Sequence, residues 1–215
     1  MKKILLISFF TVFFILTIIN ANKTYNLSQN ELNTITKKYG VKAKKRAEVW
    51  DKTIQNAKQK DILHKLKDVN DFWNTIKYKR DEAQWGKKDY WAAPFEFLGS
   101  GAGDCEDYAI AKYFSLLKLG VPENKLRITY VKLKRKQTKF EEAHMVLTYY
   151  HKPAATPIVL DNINKKLKLA TKRTDLLPVY SFNARGLWRA KNKGRTSEKV
   201  GENNLKNWKQ LMSRI

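Results

Sequence analysis

Cys105 is the single cysteine of this 215-residue sequence and the first candidate for chemistry. It directly follows a glycine-rich stretch, at the predicted start of a helix. Backbone N–H groups in a first helical turn are unpaired and lower the pKa of a nearby thiol, which favours the nucleophilic thiolate. A single cysteine also cannot form an internal disulfide bond. The pattern favours a reactive thiol over the alternative, a buried and inert cysteine.

A thiol nucleophile needs a base, and the sequence has three histidines: His64, His144 and His151. His64 falls among polar predicted helices, and His151 ends a strand beside a turn, where exposure to solvent is expected. His144 opens a predicted strand that can pack against the helix of Cys105. His144 is therefore the candidate base, and the alternative is a structural histidine on a strand.

Asp161 ends another predicted strand, directly after Leu160. A carboxylate next to apolar residues needs a partner, and orienting a catalytic imidazole is one such role. The alternative is a carboxylate that caps the turn at Asn162. Together, Cys105, His144 and Asp161 form a candidate triad for nucleophilic catalysis.

A helix and two strands must position these residues, and the hydrophobic pattern predicts all three elements. Apolar positions recur every three to five residues from 22 to about 80, which predicts helices, and the glycine-rich residues 89–103 are predicted to form a loop. The next helix is predicted to run from Asp104, its N-cap, to Gly120. Alternating residues then predict strands over 126–133, 143–150 and 158–163.

This order predicts an α+β fold in which the helix bearing the nucleophile packs on an antiparallel sheet, with further helices before it. The order Cys, His, Asp on one helix and two strands is typical of papain-like and transglutaminase-like enzymes. The Lys- and Asn-rich residues 191–215 are predicted to be a basic tail that frays or forms one peripheral helix around Trp208.

The first 21 residues have the pattern of a secretory signal peptide. Lys2 and Lys3 precede an apolar run over 4–19, and a small residue, Ala21, lies at the expected cleavage position. The alternative is an uncleaved membrane anchor, for which the run is short. We therefore expect export to the periplasm and one enzyme domain over residues 22–190.

The formal charge of +23 arises from 43 Lys and Arg against 20 Asp and Glu. This balance suits nucleic acid, an anionic membrane surface or an acidic protein, or it is a solvated Lys-rich surface. The basic residues form no known nucleic-acid motif, and export separates the chain from DNA and RNA. No nucleic-acid partner is expected.

Several segments resemble the bacterial transglutaminase-like cysteine proteinases. The similarity extends from about Val69 to Trp188, and one departure is Ala93, where relatives often have Thr. The matching segments are residues 89–113, 143–150, 159–162, 177–183 and 186–188.

The resemblance implies a role for each candidate residue. Cys105 would attack the scissile carbonyl, His144 would act as base and then acid, and Asp161 would orient His144. Backbone N–H groups of the Cys105 turn would hold the oxyanion, with side-chain help from Gln84 or Trp85. It also implies Ca²⁺ beside the nucleophile, with Asp104, Glu106 and Asp107 as ligands; their alternative role is to cap the helix.

The family further implies a periplasmic endopeptidase that cleaves a large repeat-rich adhesin near its retained N-terminal region and so controls biofilm attachment. It suggests an inner-membrane cyclic-di-GMP receptor as a sequestering partner. Two other functions stay open: a transglutaminase or amidase on the same fold, and a non-catalytic protein that binds anionic surfaces. The intact candidate triad argues against the last.

Overall fold

The computed structural model describes residues 27–135, 140–191 and 196–215. The predicted signal peptide, residues 1–21, lies outside this part of the chain. Within the described ranges, none of the helices has both the length and the apolar character that crossing a membrane requires.

Three helices open the described chain: α1 (Gln29–Tyr39), α2 (Val41–Ala57) and α3 (Ile62–Trp73). Ser28 and Glu31 cap α1 reciprocally, and Gly40, with φ at 82°, separates α1 from α2. The predicted helical region is too long at its C-terminal side. Helix α3 ends at Trp73, and a two-residue strand, β1 (Lys77–Tyr78), follows it.

The predicted loop over residues 89–103 is wrong in part. A short helix, α4 (Asp81–Trp85), precedes it, and within it lie α5 (Pro94–Ser100) and the strand β2 (Ala102–Gly103). Pro94 takes the first helical position, where its missing N–H costs nothing, and Glu96 accepts a 2.8 Å hydrogen bond from the N–H of Ala93. Glycines at the end of α5 obscure these start signals in the sequence.

The nucleophile helix α6 (Cys105–Lys118) leads into a seven-stranded sheet. The sheet order is β6-β5-β4-β3-β7-β8-β9, and neighbouring strands are antiparallel throughout. The strands are β3 (Leu126–Lys134), β4 (Glu141–Tyr149), β5 (Ile158–Leu160), β6 (Lys168–Leu169), β7 (Leu176–Asn183), β8 (Gly186–Lys191) and β9 (Thr196–Gly201).

Helix α6 packs on β3 and β4, and the main core lies between them. Its residues Ile110 and Leu116 are fully buried, as are Leu126 and Ile128 of β3. The predicted α+β fold, with the nucleophile helix on an antiparallel sheet, is confirmed. The third strand is shorter than predicted, so Asp161 follows β5 rather than lying within it.

Residues 196–215 form more regular structure than the predicted basic tail. They contribute β9 to the sheet edge and a helix, α7 (Lys206–Met212). The helix around Trp208 is present but not peripheral, because Trp208 is only 4% exposed and stacks on Phe114 with ring centroids 6.0 Å apart. One apolar face of α7 therefore completes the main core.

Candidate active site

Cys105 occupies the first position of α6, as predicted. The parallel pairing of β1 with β2 places Tyr78 opposite Gly103 and fixes the chain just before the helix. Gly103 allows this approach, because a Cβ there would overlap the side chains of Asp107 and Phe97. Cys105 itself is half-buried.

The Cys105 thiol has neighbours on α6 and on β4. It donates a 3.1 Å hydrogen bond to Oε2 of Glu106. The backbone N–H of Met145, which follows His144 on β4, hydrogen-bonds to the sulfur. In this arrangement the thiol donates to Glu106 rather than to His144; catalytic contacts are often longer before substrate binds.

His144 and Asp161 form a buried pair. His144 Nε2 lies 2.9 Å from Asp161 Oδ1, and the two residues are 3% and 1% exposed. Burial acts to raise the pKa of Asp161, but the hydrogen bond from His144, the N–H of Ile163 and the charge of Arg173 together hold that pKa below its usual range. Asp161 is thus an ionised carboxylate fixed on the imidazole, which leaves Nδ1 as the second ring nitrogen.

Residues that the sequence did not indicate surround Asp161. Arg173 Nη2 lies 2.7 Å from Asp161 Oδ2. On the other side, the backbone carbonyl of Asp161 accepts a 2.9 Å hydrogen bond from Asn74, whose own side-chain oxygen accepts one, also 2.9 Å, from the buried Lys112. In a chain with 43 Lys and Arg, nothing in the local sequence distinguishes these cations from surface ones.

Acidic side chains gather around the start of α6. Ligand oxygens of Asp81, Asp104 and Asp107 lie within 4.8 Å of one another, and Glu106 lies in an overlapping group with Asp104 and Cys105. Asp81, the first residue of α4, is a member that sequence reasoning missed. The predicted acids Asp104, Glu106 and Asp107 are therefore brought together with two additions, Asp81 and Asp89, which form a third group with Glu106.

The arrangement of these acids fits a hard cation. Oδ1 of Asp81 and Oδ1 of Asp104 are both buried without a hydrogen-bond partner among the described residues. Unpaired buried carboxylate oxygens are costly, and several of them at one point suit Ca²⁺. Asp107 differs, because its two oxygens already accept hydrogen bonds from the N–H groups of Ala92 (2.7 Å) and Asp104 (3.2 Å).

Asp104 occupies the N-cap position of α6 as predicted, but its side chain does not cap the helix by a hydrogen bond. Burial, together with the nearby Glu106, raises the pKa of Asp104 to about 8. Burial and the charge of Asp104 raise the pKa of Asp81 to about 6. Carboxylates that are this hard to ionise indicate a site that lacks positive charge.

The same acids reverse the predicted effect on the thiol. Burial, followed by the charges of Glu106 and Asp104, raises the pKa of Cys105 well above its ordinary value. The first-turn position was predicted to lower it. Two carboxylates next to the sulfur outweigh the partial charge of the helix N-terminus unless a cation balances them.

The two predicted oxyanion donors differ in their surroundings. Trp85, at the end of α4, has a buried indole Nε1–H without a hydrogen-bond partner in the described chain, and its ring packs on Tyr90 at 5.0 Å. Gln84 is half-buried. An unpaired buried donor favours Trp85 over Gln84 for this role.

Comparisons with known proteins agree with this geometry. Residues 35–190 match the family described as bacterial transglutaminase-like cysteine proteinase BTLCP. The structure is similar to calcium-bound LapG of Legionella pneumophila, at 39% identity with a TM-score of 0.73 over 87% of this chain and 99% of that one. It is also similar to the EGTA-treated form of that LapG, at 39% identity and a TM-score of 0.75 over 88% and 98% of the two chains.

No curated protein sequence matches the chain. The family match alone covers well over half of the 215 residues, and the LapG likeness includes nearly the whole of that protein. The chain therefore belongs to the bacterial transglutaminase-like cysteine proteinases.

Proposed function

We propose that this protein is a calcium-dependent cysteine endopeptidase with Cys105, His144 and Asp161 as its catalytic triad. The observation that carries the proposal is the buried 2.9 Å contact between His144 Nε2 and Asp161 Oδ1, one residue away from the N–H that bonds the Cys105 sulfur. His144 Nε2 is bonded to Asp161, so Nδ1 is the nitrogen that would accept the proton of the thiol.

The reaction begins when His144 takes the proton of Cys105 and the sulfur attacks the scissile carbonyl. Backbone N–H groups at the start of α6 and the Nε1–H of Trp85 stabilise the oxyanion. His144 then gives its proton to the leaving amine, and water hydrolyses the thioester with His144 again as base. Asp161 keeps the imidazole in the correct orientation throughout.

Asp104 and Glu106, with Asp81 and Asp107, would hold Ca²⁺. The support is the pair of unpartnered buried oxygens on Asp81 and Asp104, and the calcium-bound and EGTA-treated forms of the similar LapG. When bound, the ion supplies positive charge beside these acids, which offsets their effect on the thiol. Asp107 would contribute mainly by holding the backbone of Ala92 and Asp104 in place.

The substrate, location and partner follow from the family resemblance. We infer a large repeat-rich surface adhesin, cleaved in the periplasm near its retained N-terminal region, so that cleavage ends biofilm attachment. An inner-membrane cyclic-di-GMP receptor would sequester the protease. The signal-like pattern over residues 1–21 supports export.

The test uses a purified N-terminal adhesin fragment from the same genome and follows its cleavage by mass spectrometry. Wild-type protein with Ca²⁺ is expected to cut at one site, Cys105→Ala and His144→Ala to abolish cleavage, and EGTA to inhibit it until Ca²⁺ is restored. Mg²⁺ should restore little activity, because it demands tighter octahedral geometry. Asp104→Ala should mimic EGTA.

The control is Asp71→Ala, an exposed acid paired with Lys67 on the surface, which should cleave normally. Cleavage by Cys105→Ala would overturn the protease assignment. Incorporation of a primary amine in place of hydrolysis would indicate a transglutaminase. Calorimetry without Ca²⁺ binding at millimolar concentration would remove the metal from the proposed function.

A further inference from the structure

Arg173 is a buried cation beside the proposed triad, and the mechanism above does not use it. Its side chain is 1% exposed. It lies at the end of a 3-10 turn (Ala170–Lys172), in a segment that packs on a small second core made of Val131, Val146 and Val159. A guanidinium in such a place is costly unless it is paired, so its partners identify its role.

Two carboxylates pair with Arg173. Arg173 Nε donates a 2.9 Å hydrogen bond to Asp175 Oδ1, and Arg173 Nη2 donates a 2.7 Å hydrogen bond to Asp175 Oδ2. This two-point contact fixes the plane of the guanidinium. The same Nη2 lies 2.7 Å from Asp161 Oδ2. This contact has the length of a hydrogen bond but not its alignment, so charge attraction is its main component.

The two oxygens of Asp161 therefore have separate partners. Oδ1 accepts from His144 and from the N–H of Ile163, at 2.9 and 3.0 Å, while Oδ2 faces the guanidinium. A carboxylate held on one side only can rotate about its Cβ–Cγ bond and present either oxygen to the imidazole. With Asp175 anchoring Arg173 from the far side, that rotation would separate Oδ2 from its buried counter-charge.

We propose that Arg173 is a positioning residue of the catalytic site, which locks the Asp161 carboxylate so that Oδ1 stays on His144, with Asp175 as its anchor. This inference rests on the proposed function, since it acts through the triad. Arg173 acts on the rate of the chemical step and not on substrate binding, because it lies behind Asp161 and away from the nucleophile.

The test is a double-mutant cycle on the cleavage reaction. Arg173→Gln should lower kcat by about 10- to 100-fold, as loss of a partner behind an active-site ligand does, and should leave KM unchanged. In an Asp161→Asn background the same change should alter kcat by no more than about twofold. An equal loss in both backgrounds would show that Arg173 is structural only and would overturn the proposal.

Two milder variants cover the case in which Arg173→Gln does not fold. Arg173→Lys keeps the charge and should recover part of kcat, while Asp175→Asn releases the anchor and should give a smaller loss that also disappears in the Asp161→Asn background. Additive losses here would contradict the proposal too. Arg127→Gln is the matched control: it removes a half-buried arginine stacked on Trp188 at 4.1 Å and should lower stability without changing kcat.

A proton NMR measurement separates this proposal from the proposed function. The Nε2–H of His144, bonded to Asp161, should give a downfield resonance that disappears in His144→Gln. Arg173→Gln should shift or broaden that resonance, and Arg127→Gln should not. If the resonance changes in Arg173→Gln but the protein cleaves no adhesin, the protease assignment is refuted and the positioning role of Arg173 stands. If the protein is an active protease and the resonance is unchanged in Arg173→Gln, the positioning role is refuted.

Discussion

At the scale of a single residue, burial of Lys112 lowers the stability of the fold. It lies on α6 with 1% exposure, and Nζ donates a 2.9 Å hydrogen bond to the Asn74 side chain. Burial lowers its pKa to about 7, although the charge of Asp161 acts in the opposite direction. Asn74 in turn holds the backbone of Asp161, so a buried lysine supports the site at a cost in stability.

This cost depends on pH in a predictable direction. Between pH 7 and 10.5 the unfolded chain keeps the Lys112 proton and the folded chain does not, so the contribution of Lys112 to the free energy of unfolding increases with pH in this window. One such proton contributes at most about 1.4 kcal/mol per pH unit. Lys112→Met should lose this component.

The measurement is urea unfolding of both proteins at pH 7.0, 8.0 and 9.0. The free energy of unfolding of wild type minus that of Lys112→Met should increase with pH. Met212→Ala, which removes no titratable group and lies 41% exposed on α7, is the control, and its difference from wild type should stay flat with pH. A flat difference for Lys112 as well would mean that the lysine keeps its charge when folded.

Residue types in the sequence were enough to select the triad candidates, but not the residues that surround them. Cys105 is unique, and His144 is one of three histidines, so elimination and position were enough to select them. Arg173 and Lys112 were missed because burial, not identity, makes them unusual. The sequence predicted that the first helical turn lowers the thiol pKa. Without a bound cation, burial of the thiol and the charges of Glu106 and Asp104 raise that pKa, and burial is again what the sequence does not show.

At the scale of elements, Asp107 joins the start of α6 to the chain before α5. Its carboxylate accepts from the N–H of Asp104 on its own helix and from Ala92, fifteen residues earlier. It is fully buried. Asp107 thus ties the helix that begins at Cys105 to the segment that leads to α5.

Asp107→Asn should destabilise the fold by about 1–3 kcal/mol, because an amide offers one acceptor oxygen for two N–H groups and leaves one of them unpaired. Urea unfolding in EGTA measures this loss without any contribution from Ca²⁺. Asp71→Asn, half-exposed on α3, should be nearly neutral. If Asp107→Asn lost only Ca²⁺ affinity and no stability in EGTA, its role would be that of a ligand alone.

The predicted elements have sequence signals that all favour one structure. The missed elements have signals that conflict or are weak. Helix α6 has an N-cap position, an apolar face and a terminating glycine. Strand β3 largely alternates between buried and more exposed residues, and β4 is continuously buried from His144 to Tyr149. Helix α5 was hidden because Gly99 lies inside it, close against Tyr39, so the residue serves packing rather than a turn. Strand β9 is polar and lies at the sheet edge, with little apolar pattern to detect.

At the scale of the whole molecule, α7 completes the core from the far end of the sequence. Trp208 contacts Phe114 of α6 and Phe182 of β7, with ring centroids 6.0 and 5.6 Å apart. Leu211, one turn later, is fully buried. Residues 191–215 are basic in composition, yet they supply two residues of the core, Trp208 and Leu211.

Trp208→Ala should therefore cost about 3–5 kcal/mol of unfolding free energy, the range for truncating a buried aromatic side chain. Met212→Ala on the same helix should change it by less than about 0.5 kcal/mol, because Met212 is 41% exposed. Urea unfolding followed by circular dichroism compares the two. Equal, small effects would mean that α7 is not part of the cooperative unit.

Helix α7 also sets the order in which the protein can become active. Just after it, Arg214 donates a 2.5 Å hydrogen bond to the carbonyl of Trp91, 123 residues earlier in the chain, and Asn207 bonds Asp89 at 2.6 Å. Contacts between segments this distant in sequence are slow to form compared with local ones. Trp91 immediately precedes Ala92, which Asp107 holds beside the nucleophile. During refolding, we therefore expect the helical and sheet signals of circular dichroism to return before cleavage activity does.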